Sequence, residues 1–320
     1  MSTMAGVEPL SAEVRGDTRT RREFALACAL ATVATMATPA LLSLSGYLLA
    51  RASQAPPILT LTTAIVGVRL FALVRAAGRY GERIVSHDLA LRLLTGTRVS
   101  VYERLVARPR TDQSTSLLDR LVADTERLQD RIVRVRVPAV AIVLTGLTAV
   151  VVTWLVEPTA GLVLAAATAL HVVVIWLIEV PSGRRRARER AELRESVTGE
   201  LVAVLDGAPE FTAWGVGEAR AHRAQEIGDR ADRRVRRDAA RASASGAVSL
   251  VIAGGAALAV LLVANAAATD HRISATAVPA LALQAYGAME AVGALADVFD
   301  ARTEDRVAQE RIDNALDGAA

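Results

Sequence analysis

Stretches almost free of charge alternate along the chain with stretches dense in arginine, aspartate and glutamate. The apolar runs fall at residues 24–50, 57–74, 137–156, 159–178, 242–269 and 273–289. At a rise of about 1.5 Å per residue, each can cross roughly 30 Å of hydrocarbon as an α-helix. Lipid offers no hydrogen-bond partners to the backbone, and a helix satisfies its own amides and carbonyls. The pattern therefore predicts an all-α polytopic membrane protein with six transmembrane helices. The first run is too long, and wrongly flanked, for a signal peptide with a short apolar core.

The arginines orient these spans. Arg15, Arg19, Arg21 and Arg22 precede the first, whereas the turn at 51–56 holds Arg51 alone. Segments 75–136 and 184–241 are arginine-rich, the turns at 157–158 and 270–272 are nearly bare, and Arg302, Arg306 and Arg311 follow the last span. Positive residues collect on the cytoplasmic side. The expectation is a multi-pass protein of the plasma membrane with both termini and both long segments in the cytoplasm. Outside remain three turns of a few residues each.

Segments of about 60 residues are not passive connections. Both carry apolar residues at helical spacing, at Leu117, Leu121, Leu128 and Ile132 in one and at Leu193, Val197, Leu201 and Val204 in the other. They read as two long cytoplasmic helical hairpins. The first is broken at Pro109, with Asp112 or Ser114 placed to cap the next helix. The second is broken at Asp206, Gly207 and Pro209, and Gly215 and Gly217 close a short element holding Phe211 and Trp214. Helices of about 25 residues on either side would project roughly 35–40 Å from the membrane. Their tips are docking candidates, with Phe211 and Trp214 either packed inside their own hairpin or inserted into a partner's pocket.

Composition narrows the chemistry. All 37 residues of the Lys+Arg count are arginine, so the P-loop lysine of a Walker nucleotide site is missing from this sequence. One cysteine, Cys28, excludes an intrachain disulfide and a cysteine-based metal cluster. The formal charge is +3, yet arginines mix with Asp and Glu along the hairpins, which argues against a phosphate-tracking surface and hence against nucleic acid. No HExxH or GxSxG motif occurs and no catalytic constellation emerges, so the chain is not expected to be an enzyme in its own right.

Arg75, Arg79, Arg83 and His87 recur every four residues, forming one slowly winding stripe where the second span leaves the membrane. Such a stripe can hold the carboxylates of an anionic ligand, and a neutral imidazole can ligate haem iron. The same spacing also fits snorkelling arginines and a solvated histidine. Arg69 lies near mid-bilayer, where an unpaired charge costs roughly 2.5–3.5 kcal/mol, so it is expected to face the bundle interior with Glu290 as a candidate partner. His171, in an otherwise apolar span, reads as a hydrogen-bonded packing residue.

Several local stretches carry a resemblance. They are Leu44-Ser45-Gly46-Tyr47-Leu48, Val68-Arg69, the run from Arg75 through Gly78-Arg79-Tyr80-Gly81-Glu82-Arg83 to Ser86-His87-Asp88, Leu118-Asp119-Arg120-Leu121-Val122-Ala123-Asp124, and Gly207-Ala208-Pro209-Glu210-Phe211. With six spans and two inner hairpins, the chain resembles the type IV ABC exporter transmembrane domain (ABC transporter type 1 transmembrane domain). Within that fold it is similar to the CydC-type subunit of the heterodimeric thiol-reductant (cysteine/glutathione) exporter linked to cytochrome bd assembly. The resemblance covers about residues 20–315.

It implies a role for each singled-out residue. His87 would be an axial haem ligand, with Arg83 and Arg79 at the propionates and Tyr80 beside them. Arg69 and Glu290 would belong to the translocation pathway. Ser114, Leu117, Glu210, Phe211 and Trp214 would couple to a partner ATPase, through which alone ATP would act, and a second, CydD-like transmembrane subunit would complete the transporter. Cargo would be a low-molecular-weight thiol or haem. Residues 1–22 would be a cytoplasmic segment, 23–300 the membrane domain, and 301–320 a linker where such proteins usually continue into an ATPase domain. The expectation is thus a split or truncated transporter. The alternative is a non-transporting haem-binding or regulatory membrane module.

Overall fold

The computed structural model describes residues 18–106 and 131–317. Pro109, Asp112, Ser114, Leu117, Leu121, Leu128 and the 118–124 segment of the first hairpin lie outside the described residues, as does Arg15. The described residues are predominantly helical, with no strand among them: α1 is Thr18–Ala52, α2 Thr62–Val106, α3 Val137–Val156, α4 Pro158–Asp206, α5 Ala208–Ala213, α6 Gly217–Thr269, α7 Ala277–Gly293 and α8 Leu295–Asp317. Six helical stretches are long and apolar enough to cross a membrane, the last running across α7 and α8. The fold is that of an all-α polytopic membrane protein; each predicted apolar run overlaps one of these stretches, with the runs 57–74 and 273–289 beginning ahead of theirs, at Ile58 and Ala277.

The helices start and stop for local reasons. Ser53 to Pro57 form the first turn, in which Ala55 takes a left-handed backbone (φ 50°) and Pro57 leads into a single 3-10 turn at Ile58–Leu61. Between α3 and α4 the chain reverses at Glu157, and Pro158 starts α4, where a missing N–H removes no helical bond. A side chain at Gly161 would stand 2.5 Å from the Trp154 backbone, so only glycine allows this reversal. The predicted break after Asp206 appears as Gly207 and the six-residue α5, closed by Gly215 in the left-handed region (φ 68°).

Two features depart from the sequence reading. Α single sixth span at 273–289 was expected, but α7 runs to Gly293, is interrupted at Ala294, and resumes as α8. Residues 301–317, expected to be a linker, are helical, and α8 packs along α4. In addition, a π-helical turn at Arg131–Arg136 leads into α3. Its buried Ile132 joins Ala27, Cys28, Ala31 and Leu89 in a cluster beneath α1 and α2.

The larger core lies between α3, α4, α6 and α7 and is made mostly of alanine: Ala149, Ala160, Ala253, Ala256, Ala264, Ala285 and Ala288, filled out by Leu164, Val260, Leu281 and Met289. Small residues let helix backbones approach closely where lipid supplies no hydrophobic drive for association. Another tight approach is between α1 and α7, where a Cβ on Gly46 would meet Pro279 O at 2.5 Å.

Candidate functional site

A cavity of about 730 Å³ opens where α2 leaves the apolar layer. Α1, α2, the π-turn with α3, and α7 form its walls. Arg75, Arg79, Arg83 and His87 all line it, so the four-residue spacing does bring the stripe to one surface. Arg75 is half-buried and the other three are exposed to the cavity and its mouth. Glu82, seven residues after Arg75 and hence almost on the same helical face, lines it too, and Glu290 stands on the opposite wall.

What sets this group apart is the lack of internal partners. Among the described residues, the side chains of Arg75, Arg79, Arg83 and His87 form no ion pair or hydrogen bond, and neither do those of Glu82 and Glu290. The arginines of the long helices behave differently. Arg190 of α4 reaches Asp238 of α6 at 2.7 Å and Asp300 and Glu304 of α8 at 2.7 and 2.9 Å. Arg234 is paired with Glu189 and Asp238, and Arg184 and Arg188 with Glu310. Burial alone would push Asp238 up, but Arg190 and Arg234 outweigh it and hold the carboxyl below its usual range. The projecting helices are thus laced together by ions, while Arg75, Arg79 and Arg83 form no ion pair among the described residues.

Helical geometry also separates the remaining predicted residues. Tyr80, about 100° around the helix from Arg79, is 71% exposed and takes no part in the cavity lining. Arg69 sits about 120° from Arg75, is exposed on α2 and pairs with nothing among the described residues, so neither the expected interior placement nor the pairing with Glu290 is found in this chain. Glu290 instead lies between the arginine cavity and a second one of about 400 Å³ bounded by α4, α6, α7 and α8, with Ser249, Tyr286 and Asp297 in its wall.

Beyond the arginine cavity, α1, α3 and α7 continue as the walls of a third space of about 640 Å³ lined by Leu44, Tyr47, Phe71, Thr148 and other mostly apolar residues. Between the two, Gly287 lies so close to α1 that a Cβ there would meet Pro39 Cα at 3.0 Å. A polar chamber and an apolar one are stacked along one wall with a tight helix contact between them.

At the second hairpin, Phe211 packs back on its own hairpin, its ring against Gly207 and under the Arg220 guanidinium at 4.9 Å. Trp214 projects with 81% of its surface exposed, and Glu210 is exposed beside it. Of the two readings for these aromatics, Phe211 takes the first, and the exposed Trp214 is left available for the second. His171 is completely buried, next to Gly293 at the α7–α8 interruption, but both ring nitrogens lack a hydrogen-bond partner, contrary to the hydrogen-bonded role expected.

Missed by the sequence reading are Glu82, Arg134 of the cavity, the Glu179–Arg186 pair at 2.7 Å, and the Arg190 network. Glu82 was recoverable from the stripe's own periodicity. The others depend on which distant helices meet.

No family model matches the chain. Similarity to characterised proteins is nevertheless clear. The chain is 28% identical over 204 residues to the glutathione/L-cysteine transport system ATP-binding/permease protein CydC of Escherichia coli strain K12, covering 60% of this chain and 35% of that protein. It is 28% identical over 195 residues to the corresponding protein CydD of Bacillus subtilis strain 168, covering 58% and 34%. Over its matched part the chain is similar to CydC/CydD-type ABC transporter subunits. A 104-residue match at 33% identity to CydC of Haemophilus influenzae, 18% of that protein, agrees. The matched part spans about a third of the length of the first two relatives. Six apolar helices in this chain fit the permease portion of such proteins.

Proposed function

We propose that this chain is the membrane-spanning subunit of an ATP-driven exporter for a small anionic thiol such as cysteine or glutathione, acting with a CydD-like second transmembrane subunit. ATP hydrolysis is supplied by a partner ATPase domain, and the arms lie in the cytoplasm. One observation carries the reading: three guanidinium groups, of Arg75, Arg79 and Arg83, line one cavity, and none of them is ion-paired among the described residues. Unpaired cations beside an apolar layer are costly unless something anionic meets them. The relatives' names, which specify glutathione and L-cysteine transport, supply the cargo class.

The residues divide the work. Cargo enters from the arm side, and its carboxylates settle on the α2 stripe. Movement of the ATPases is transmitted through the hairpin tip at Trp214 and Glu210 to α4 and α6, which the Arg190 network couples to α8. Separation of Pro39 from Gly287 joins the polar chamber to the apolar one beyond.

Haem is a second reading, favoured by His87 sharing the cavity with Arg79 and Arg83. The residues fit in part: an unencumbered imidazole and cations for propionates are present, but the lining supplies no second histidine, methionine or cysteine. A haem held here would take one axial ligand from this chain. Tyr80, outside the lining, is not a contact in this reading.

The test is reconstitution with candidate ATPase partners in nanodiscs. Glutathione or cysteine should stimulate hydrolysis, and the double change Arg79→Ala, Arg83→Ala should raise the half-saturating concentration by about 10- to 150-fold, since a charged hydrogen bond is worth about 1.5–3 kcal/mol. Unchanged stimulation in that variant would remove the cavity from the pathway. No stimulation with any ATPase would favour the non-transporting module. Haem absorbance that survives His87→Ala would dispose of the axial-ligand reading.

A further inference from the structure

The charged lining of the arginine cavity is not of one sign. Glu290 faces the α2 stripe from α7, across a gap whose other walls are α1 and α3. With several arginines around the same space, a carboxylate would ordinarily be taken up in an ion pair, as Asp238, Asp300 and Glu304 are around Arg190. No arginine comes within ion-pair distance of Glu290 among the described residues. Glu82 stands on α2 itself beside the stripe, whereas Glu290 belongs to α7 on another wall of the cavity.

We propose that Glu290 is a specificity-determining residue that receives the ammonium group of a zwitterionic cargo while the α2 stripe receives its carboxylates. This rests on the transport reading above and deepens it, because it divides the anionic molecules that the stripe alone would admit. Successive members of the stripe are about 6 Å apart along α2. A ligand with two carboxylates can therefore rest on two of Arg75, Arg79 and Arg83 and extend its third charged group toward α7. An amino acid or a short peptide with a free amine satisfies both walls. A purely anionic molecule of the same size leaves Glu290 facing its negative charge in a partly desolvated space, where like charges disfavour binding. Haem, whose only charged substituents are its propionates, is disfavoured on the same ground, so the residue discriminates between the two cargoes considered above.

Glu290 is suited to this in two further ways. It is a carboxylate on a helix that carries few other polar side chains, three residues before Gly293 and the interruption at Ala294, so its distance from α2 depends on how α7 and α8 are aligned. It also lines the second cavity, whose wall carries Asp297 without an ion-pair partner among the described residues. An amine leaving Glu290 on that side meets a further acceptor in Asp297, while Arg186 and Arg190 of the same lining are already paired with Glu179 and Asp238.

The measurement is calorimetric binding of glutathione and of its N-acetylated form to the full chain in nanodiscs. The unmodified protein should bind the free-amine form at least about tenfold more tightly, the factor of one charged contact at about 1.4 kcal/mol. Glu290→Gln should bring the ratio close to one, chiefly by weakening glutathione, and Glu290→Asp should restore part of the preference, which shows that the fold is intact. A preference that persists unchanged in Glu290→Gln overturns the assignment. Equal binding of both forms by the unmodified protein, still lost in Arg79→Ala, also overturns it but leaves the anion cavity standing. Failure of the unmodified protein to bind either form overturns the cavity reading and the assignment together.

Discussion

Replacing Gly46 by alanine tests the close contact of α1 with α7. The added methyl would lie 2.5 Å from Pro279 O, 2.7 Å from Pro279 C and 3.0 Å from Ala280 N. All three are backbone atoms, so no rotamer change can relieve the overlap, and α1 and α7 must move apart by about 1 Å to reach normal contact near 3.5 Å. Overpacking of this kind costs about 1–3 kcal/mol. The better helix propensity of alanine returns up to about 1 kcal/mol, leaving a net loss of about 1–2 kcal/mol. Gly254→Ala is the control, since its Cβ would meet nothing within 4 Å and only the propensity gain applies. Equilibrium unfolding of the two variants in mixed micelles, followed by tryptophan fluorescence, should place Gly46→Ala about 5- to 30-fold lower in folded-to-unfolded ratio than the parent, with Gly254→Ala at or above it. Equal stability of the two variants would refute the close approach of α1 and α7.

Two shorter predictions concern buried polar groups. His171→Leu should preserve or raise stability in the same assay, by up to about 1–3 kcal/mol, because it removes ring nitrogens that have no partner among the described residues; a large loss would mean that the imidazole is satisfied after all. Glu157 accepts from Thr159 at 2.6 Å and from Arg272 at 2.7 Å, tying the α3–α4 turn to the one after α6. Those bonds hold its carboxyl below the usual range of about 4.5, so its contribution is present above that pH and is lost as the pH falls through the lowered value. Unfolding in acid should therefore begin below about pH 4.5, and Glu157→Gln should flatten that dependence; an identical acid profile in the variant would show that the clasp does not contribute.

The parts of this fold that sequence made legible are those governed by local rules. Apolar run length located the six spans, and Asp206, Gly207 and Pro209 located the second hairpin's break, because glycine and proline act on their own backbone. The four-residue stripe was likewise legible, and a stricter use of 100° per residue would have moved Tyr80 off it and brought Glu82 on. The α7–α8 interruption has no such marker: Gly293 and Ala294 look like ordinary helix residues, and the step is recognisable only with α8 lying against α4. The Arg190 network is opaque for the same reason, since Asp300 lies 110 residues away and sequence spacing cannot say which carboxylates reach which arginine. Glu290 was singled out for the wrong neighbour, because depth along a span does not fix the direction in which a side chain points.

The alanine-lined core has a mechanical consequence. Large interlocking side chains resist rotation of one helix past another, because each must leave its groove before the next can enter. Methyl groups give shallow ridges, so α6 and α7 meet over a surface with little friction, while the ionic mesh of α4, α6 and α8 engages like teeth. Stiffness is graded along the molecule: torque applied at the geared end is carried without slippage to a smooth bearing, where small angular steps meet low resistance.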